Sequence, residues 1–212
     1  MRRRLLLSVP LLLVGLASTA SAQLTTKTAV IQPGQAADAN PIVVLETTAG
    51  PVTLQLDRKN APISTENFLR YVDEGFYDGL VFHRVMPGFM IQTGGMKDTN
   101  GTLEEKTKGA YPAIKNESSN GLKHARGTLA MARKPSPNSA TSQFFINHAN
   151  NRALDEAPGG YTVFGKVIDG MDVVDAIAKT QTTTKSDVRG NSHDDVPVKP
   201  ILIKHALRKA PG

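Results

Sequence analysis

A mainly β fold, with eight strands closed into an antiparallel barrel and two α-helices capping it, is what residues 41–208 predict. Three observations carry this. Short apolar or alternating runs recur along the chain, Gly-, Pro- and Asn-rich connections separate them, and only two segments place apolar residues at helical spacing. Closing such a sheet removes its exposed edges, and the helices cover its open ends.

The elements follow in order. Residues 42–47 and 52–57 flank Thr48-Ala49-Gly50-Pro51, and alternation puts Val52, Leu54 and Leu56 on one buried face of a hairpin. Pro62 stands in the first turn of a helix, where its missing N–H costs no bond. Phe68, Leu69 and Val72 recur at helical spacing, and Gly75 is the stop. The runs 80–85, 89–92, 127–132, 143–147, 161–167 and 200–206 read as the remaining strands. A second helix over 171–179 puts Met171, Val174 and the Ile177/Ala178 pair on one face. The polar segments 95–120 and 180–195 read as surface loops, and the chain shows neither an internal repeat nor a second domain.

Composition limits the function classes. The chain has 212 residues, 40% of them hydrophobic and 21% charged, with no cysteine. It therefore has globular composition and excludes a disulfide framework, thiolate catalysis and cysteine-ligated zinc. Arg2, Arg3 and Arg4 precede an apolar run over residues 5–17 and then Ser18-Thr19-Ala20-Ser21-Ala22. A basic start, a short apolar run and a small-x-small ending make residues 1–22 a secretory signal peptide, with cleavage before Gln23. The apolar run, interrupted by Pro10, falls short of the ~20 residues that span a bilayer. Residues 23–40 lack periodicity and read as a flexible leader. The expected compartment is the periplasm. Cleavage lowers the net charge from +6 to +3, with 22 basic residues against 19 acidic ones. A surplus so small and dispersed does not make a nucleic-acid-binding patch.

Three segments are chemically unusual. Val81-Phe82-His83-Arg84-Val85-Met86-Pro87-Gly88-Phe89-Met90-Ile91-Gln92-Thr93-Gly94-Gly95 brings an arginine, a glutamine and soft apolar side chains together through a Pro-Gly turn. Gly127-Thr128-Leu129-Ala130-Met131-Ala132-Arg133 is the second. In the third, Ser142-Gln143-Phe144-Phe145-Ile146-Asn147, strand alternation puts Gln143 and Phe145 on one face.

These segments, with Val163-Phe164-Gly165-Lys166-Val167 and the residues after it, resemble in order the signature motifs of the cyclophilin-type peptidyl-prolyl cis-trans isomerases, over about residues 41–207. The loops ending at Ile114-Lys115-Asn116-Glu117 and spanning 134–141 most resemble the bacterial exported members. The resemblance implies an eight-stranded barrel with its groove on the outside and a reaction that rotates X–Pro bonds in unfolded or partly folded polypeptides. It implies no cofactor, no metal, no nucleic-acid partner, no stable membrane insertion and a monomer, acting as a folding helper.

The chemistry fits the residue types. The peptide barrier of ~18–20 kcal/mol comes from amide resonance, and unassisted X–Pro exchange takes ~10–100 s. A donor aimed at the prolyl nitrogen favours the twisted amide, whose lone pair is localised there. Through the resemblance, Arg84 takes this catalytic role with its permanently charged, forked guanidinium. Phe89, Met90, Phe145 and Leu154 match the proline-ring pocket, and Gln92 the amide that bonds the substrate backbone. Ala132 and Arg133 match backbone contacts beside the residue preceding proline, Gln143 a groove amide, and Tyr161 a position held by histidine elsewhere in the family. The family's pocket-edge tryptophan falls at Ala153, which removes an indole N–H and most of that wall.

Taken singly, these residues read otherwise. Arg84 is a solvated strand-edge charge, Phe89, Met90 and Phe145 are barrel core like Phe82 and Phe144, and Gln92 and Gln143 are surface amides. Only their joint spacing, through the resemblance, makes a groove. His83 reads as a packed histidine on the side of its strand opposite Arg84. His193-Asp194-Asp195 is too sparse a set for a metal.

Overall fold

The computed structural model describes residues 40–209. The signal peptide expected over 1–22 and nearly all of the leader expected over 23–40 lie outside the described residues.

Twelve strands and three helices follow in the order β1 (Ile42–Thr47), β2 (Gly50–Leu56), α1 (Pro62–Asp73), β3 (Arg84–Met86), β4 (Met90–Thr93), β5 (Met96–Thr99), β6 (Thr102–Glu105), β7 (Thr128–Met131), β8 (Phe144–Asn147), α2 (Arg152–Asp155), β9 (Val163–Asp169), α3 (Met171–Ala178), β10 (Thr182–Ser186), β11 (Ser192–Pro197) and β12 (Ile203–Arg208). Eight strands form one curled antiparallel sheet in the order β12-β1-β2-β9-β7-β8-β4-β3.

That sheet is open, which corrects the expected closed barrel. β3 and β12 end it, and among the described residues one isolated bridge, Val81 with Leu202, and a few single backbone hydrogen bonds join the two sides in place of a ladder. The reason lies in residues 79–83, expected as part of a strand over 80–85. Their amides are shared among neighbours: Gly79 N bonds Ile203 O at 2.8 Å, Val81 N bonds Met96 O at 2.9 Å, Phe82 N bonds Ile201 O at 2.9 Å and His83 N bonds Gln92 O at 3.1 Å. An edge that serves three partners cannot run as one ladder.

The first hairpin and α1 match expectation. Val52, Leu54 and Leu56 are fully buried. α1 starts at Pro62 and buries Phe68, Leu69 and Val72. Its end is a Schellman motif at Gly75 (φ 61°), with Gly75 N on Val72 O at 3.0 Å and Phe76 N on Tyr71 O at 2.9 Å. The Tyr71 and Phe76 rings, 4.6 Å apart, supply the apolar contact that accompanies this cap. Phe68 then packs edge-on against Phe144 at 5.1 Å and against Tyr77 at 5.2 Å, in the main core between α1 and the sheet.

The segments 95–120 and 180–195 are more than loops. Each contains a hairpin, β5–β6 and β10–β11, and the two close a small second core of Val81, Met96, Leu103 and Val196. Lys185 Nζ reaches Asp98 Oδ2 at 2.6 Å between them, with both side chains nearly buried. The β10–β11 turn is organised by Asp187, whose carboxylate accepts from Asn191 N and Nδ2, Arg189 N and His193 Nε2. The Asn191 amide and His193 hold this carboxyl far below the ordinary carboxylate range.

Glu117, at the end of the first segment, caps α1 from a distance. Its carboxylate accepts from Ile63 N at 3.0 Å and from Ser64 N and Oγ, each at 2.8 Å. Because Ala61 offers no side-chain cap, Glu117 takes its place at the positive end of the helix. Glu117→Ala is expected to lower stability by about 1 kcal/mol, read as a shifted urea midpoint at unchanged slope.

Candidate functional site

Sheet register builds the site. Arg84 on β3 pairs with Gln92 on β4, Gln92 with Phe145 on β8, and Phe145 with Ala130 on β7. These four therefore form one row across four strands, on a single face. Side chains alternate along each strand, so Val85, Ile91, Phe144 and Ile146 enter the main core. Met90, Ala130, Phe145 and Val163 gather in a separate apolar cluster on the opposite face.

A groove of about 550 Å³ opens over that row. It is lined by every residue singled out from sequence, namely Arg84, Phe89, Met90, Gln92, Ala132, Arg133, Gln143, Phe145, Leu154 and Tyr161, and also by His83, Met96 and Ser192 to Asp195. A second cavity of about 370 Å³ shares Gln92, Ala132, Arg133 and Gln143 with it, so the groove continues past the Gln92 and Gln143 side chains. The Arg84 side chain is 45% exposed, whereas Met90 and Phe145 are buried.

The amides hold one another in place. Gln92 Nε2 donates to Gln143 Oε1 at 2.9 Å and faces His83 Nε2 at 3.3 Å. With both amide hydrogens so engaged, Gln92 presents its Oε1 as an acceptor. Gly95 makes room for this pair, since a Cβ there would meet the Gln143 side chain at 2.5 Å. His83, expected on the far side of its strand from the groove, is buried beneath these amides and lines the groove with Arg84.

Burial lowers the His83 pKa to about 4, because the cation would lose its water. The neutral ring is the form that accepts from Gln92. An unfolded histidine takes up a proton near its ordinary value of 6.5, so between about pH 6.5 and 4 the unfolded state binds more protons. His83 thus costs no stability above that window and removes an increasing amount as pH falls through it, about 3 kcal/mol in all. His83→Gln is expected to flatten the acid side of the stability–pH curve over this window, measured by urea unfolding at stepped pH.

Asparagines missed by the sequence reading fix the apolar wall. Asn151 Nδ2 donates to Phe89 O at 2.8 Å and Asn147 Oδ1 at 2.6 Å, and Asn147 Nδ2 donates to Thr128 Oγ1 at 2.9 Å. Leu154 N returns to Asn151 O, so the Pro-Gly turn and α2 are set by one polar chain. His124 stacks on Phe145 at 5.9 Å and 11°, and burial lowers its pKa. The signal was present in the cluster His148-Ala149-Asn150-Asn151, too polar to continue a strand and too rich in amides for a bare turn.

Arg133 serves the groove through its side chain. Its guanidinium donates to the carbonyls of Lys134, Pro135, Pro158 and Gly160 and lies over the Tyr161 ring at 4.5 Å. Tyr161 in turn meets Phe145 edge-on at 5.9 Å. Arg152 and Ala153 are exposed and do not line the groove, so Leu154 and Tyr161 are its wall there.

His193, Asp194 and Asp195 diverge instead of converging on one point. His193 faces Asp187 at 3.1 Å, Asp194 accepts from Thr184 Oγ1 at 2.7 Å, and Asp195 lies toward Arg84.

Fold and site together define a class: a mainly β protein whose curled sheet carries an elongated cleft, apolar at one part and amide-lined at another, on the face turned from its core. The family model described as cyclophilin type peptidyl-prolyl cis-trans isomerase/CLD matches residues 42–207, and the chain belongs to that family. The peptidyl-prolyl cis-trans isomerase A of Dickeya dadantii is 47% identical over 176 residues, covering 82% of this chain and 87% of the relative. A peptidyl-prolyl cis-trans isomerase of Acinetobacter baylyi is 51% identical over 167 residues, covering 78% and 84%. Among solved structures, a cyclophilin type isomerase of Cryptosporidium parvum, solved in the presence of the dipeptide Ala-Pro, superposes with a TM-score of 0.63 at 27% identity, covering 80% of this chain and 99% of that one.

Proposed function

We propose that this chain accelerates cis–trans rotation about X–Pro bonds in exported polypeptides as they fold, with Arg84 stabilising the twisted amide. The row Arg84–Gln92–Phe145–Ala130 carries this reading, because it sets a forked cation, a backbone acceptor and an apolar floor side by side. The proline ring enters the pocket of Phe89, Met90, Phe145 and Leu154. Gln92 Oε1 accepts from the substrate main chain, and the residue before proline lies toward Ala132 and the second cavity. The guanidinium then donates to the prolyl nitrogen once rotation has localised its lone pair there. A contact stronger in the twisted state than in either planar state lowers the barrier without forming or breaking a bond.

The test is exchange between cis and trans X–Pro in a short peptide, followed by NMR with catalytic amounts of protein. Faster exchange at unchanged equilibrium ratio supports the reading. Saturable peptide binding without faster exchange would replace it with proline recognition alone.

Export is part of the same proposal. It rests on the arginines, apolar run and Ala20-Ser21-Ala22 ending within residues 1–22. No helix among the described residues is long and apolar enough to cross a membrane. Expression of the full chain in a Gram-negative host, fractionation and N-terminal sequencing should give a periplasmic product starting at Gln23. A cytoplasmic product that retains residues 1–22 would overturn this part.

A further inference from the structure

β11 joins β10 through a bulge. Thr183 pairs with Val196 and Lys185 with His193, so Thr184 alone faces both Asp194 and Asp195. Asp195 takes the left-handed conformation, φ 61°, which aspartate adopts more readily than most residues. A bulge of this kind re-aims side chains. Here it separates two consecutive carboxylates: Asp194 is taken by Thr184 Oγ1, while Asp195 Oδ2 lies 4.0 Å from Arg84 Nε.

The hairpin that presents Asp195 is anchored. Val196, the next residue, is buried in the second core, Lys185 pairs with Asp98, and Val188 N bonds Leu103 O at 3.0 Å. Among the described residues Asp195 is the one acidic side chain within 4.0 Å of the Arg84 guanidinium. Exposed pairs add little to folding stability, so the effect of this one belongs in turnover.

We propose that Asp195 is a positioning residue for Arg84, holding the guanidinium by its Nε edge and leaving the terminal nitrogens to the prolyl nitrogen. This rests on the role of Arg84 proposed above. The guanidinium ends a long side chain with many rotamers, and a small misplacement of a group that acts only on the twisted amide is costly in rate.

The experiment uses the full chain, with Asp195→Ala, Asp195→Asn and Asp172→Ala. It reads kcat and KM for peptide exchange, the thermal midpoint, and the NMR signal of the Arg84 Nε–Hε group. Asp195→Ala is expected to lower kcat about 3- to 10-fold with KM within about 2-fold. It should also move the Arg84 Hε signal and leave the thermal midpoint in place. Asp195→Asn keeps the shape but removes the charge that acts across 4.0 Å, so it should lose kcat much as Asp195→Ala does. Asp172→Ala, at an exposed acid on α3 outside the groove, should leave both readouts unchanged. Unchanged kcat in Asp195→Ala, an unmoved Hε signal, or an equal loss in Asp172→Ala would overturn the proposal. Should wild-type protein fail to isomerise peptide, the functional reading falls separately. The Hε signal then decides alone: movement in Asp195→Ala upholds the pair, and no movement overturns it.

Discussion

Arg84→Ala is expected to lower kcat/KM for X–Pro exchange by about 100-fold, roughly 3 kcal/mol of transition-state stabilisation. The magnitude is that of one preorganised donor acting on charge that develops only during reaction. Because the side chain is 45% exposed and lies on an edge strand, the fold should be nearly indifferent, within about 0.5 kcal/mol. Arg84→Lys separates charge from geometry. Lysine keeps the charge but loses the planar fork, so a partial recovery is expected, well short of wild type. NMR exchange rates at several peptide concentrations give kcat and KM apart. Loss confined to KM in Arg84→Ala would mean that the arginine binds the planar and twisted amides equally, and the mechanism would fail.

Phe145→Ala carries the second large effect. The ring is buried, stacks on His124, meets Tyr161 edge-on and forms the apolar floor beside Gln92. Truncating a buried phenylalanine costs about 3–5 kcal/mol. It should also weaken binding of proline peptides through loss of the surface on which the ring sits. Ile146→Ala is the control. Ile146 is fully buried but faces the main core, so its truncation should cost about 2–5 kcal/mol without altering peptide affinity. Urea unfolding and peptide titration distinguish the two, and equal affinity losses in both variants would show that the groove merely follows global stability.

Legibility in the sequence followed burial. The alternation of Val52, Leu54 and Leu56 and the Gly75 stop were readable because each buried side chain repeats at a fixed interval. β5–β6 and β10–β11 were not, since β5, β6 and β11 each send one apolar residue into the second core, Met96, Leu103 and Val196, and β10 sends none. Asn100-Gly101, both at positive φ, was the available signal for the first of these hairpins, being the dipeptide that tight hairpin turns favour. The open sheet was hidden for another reason. Residues 79–83 look like strand in composition, and their division among three hydrogen-bonding partners is a property of the assembled fold.

The groove residues were found as a set through resemblance, while their mutual arrangement was not readable. Nothing in residues 84, 92, 130 and 145 says that they share a row, since that depends on register between strands distant in the chain. Asp195 escaped because adjacent acids in a polar segment carry no periodicity, and only a bulge separates their roles. Arg133 lines the groove as expected, but its side-chain hold on the carbonyls of Pro158 and Gly160 depends on a later turn that its own segment does not reveal.

The row across β3, β4, β8 and β7 also bears on how the molecule matures. Arg84 and Gln92 meet on one local hairpin and Ala130 and Phe145 on another strand pair, but the two halves join only when β4 pairs with the distant β8. The entropy of closing the chain between β4 and β8 is spent before the halves meet, which places the completed groove late in folding. Catalytic competence is therefore all-or-none: under mild denaturant, the turnover of a population counts its native molecules, and the chain cannot hasten the isomerisation of its own prolines.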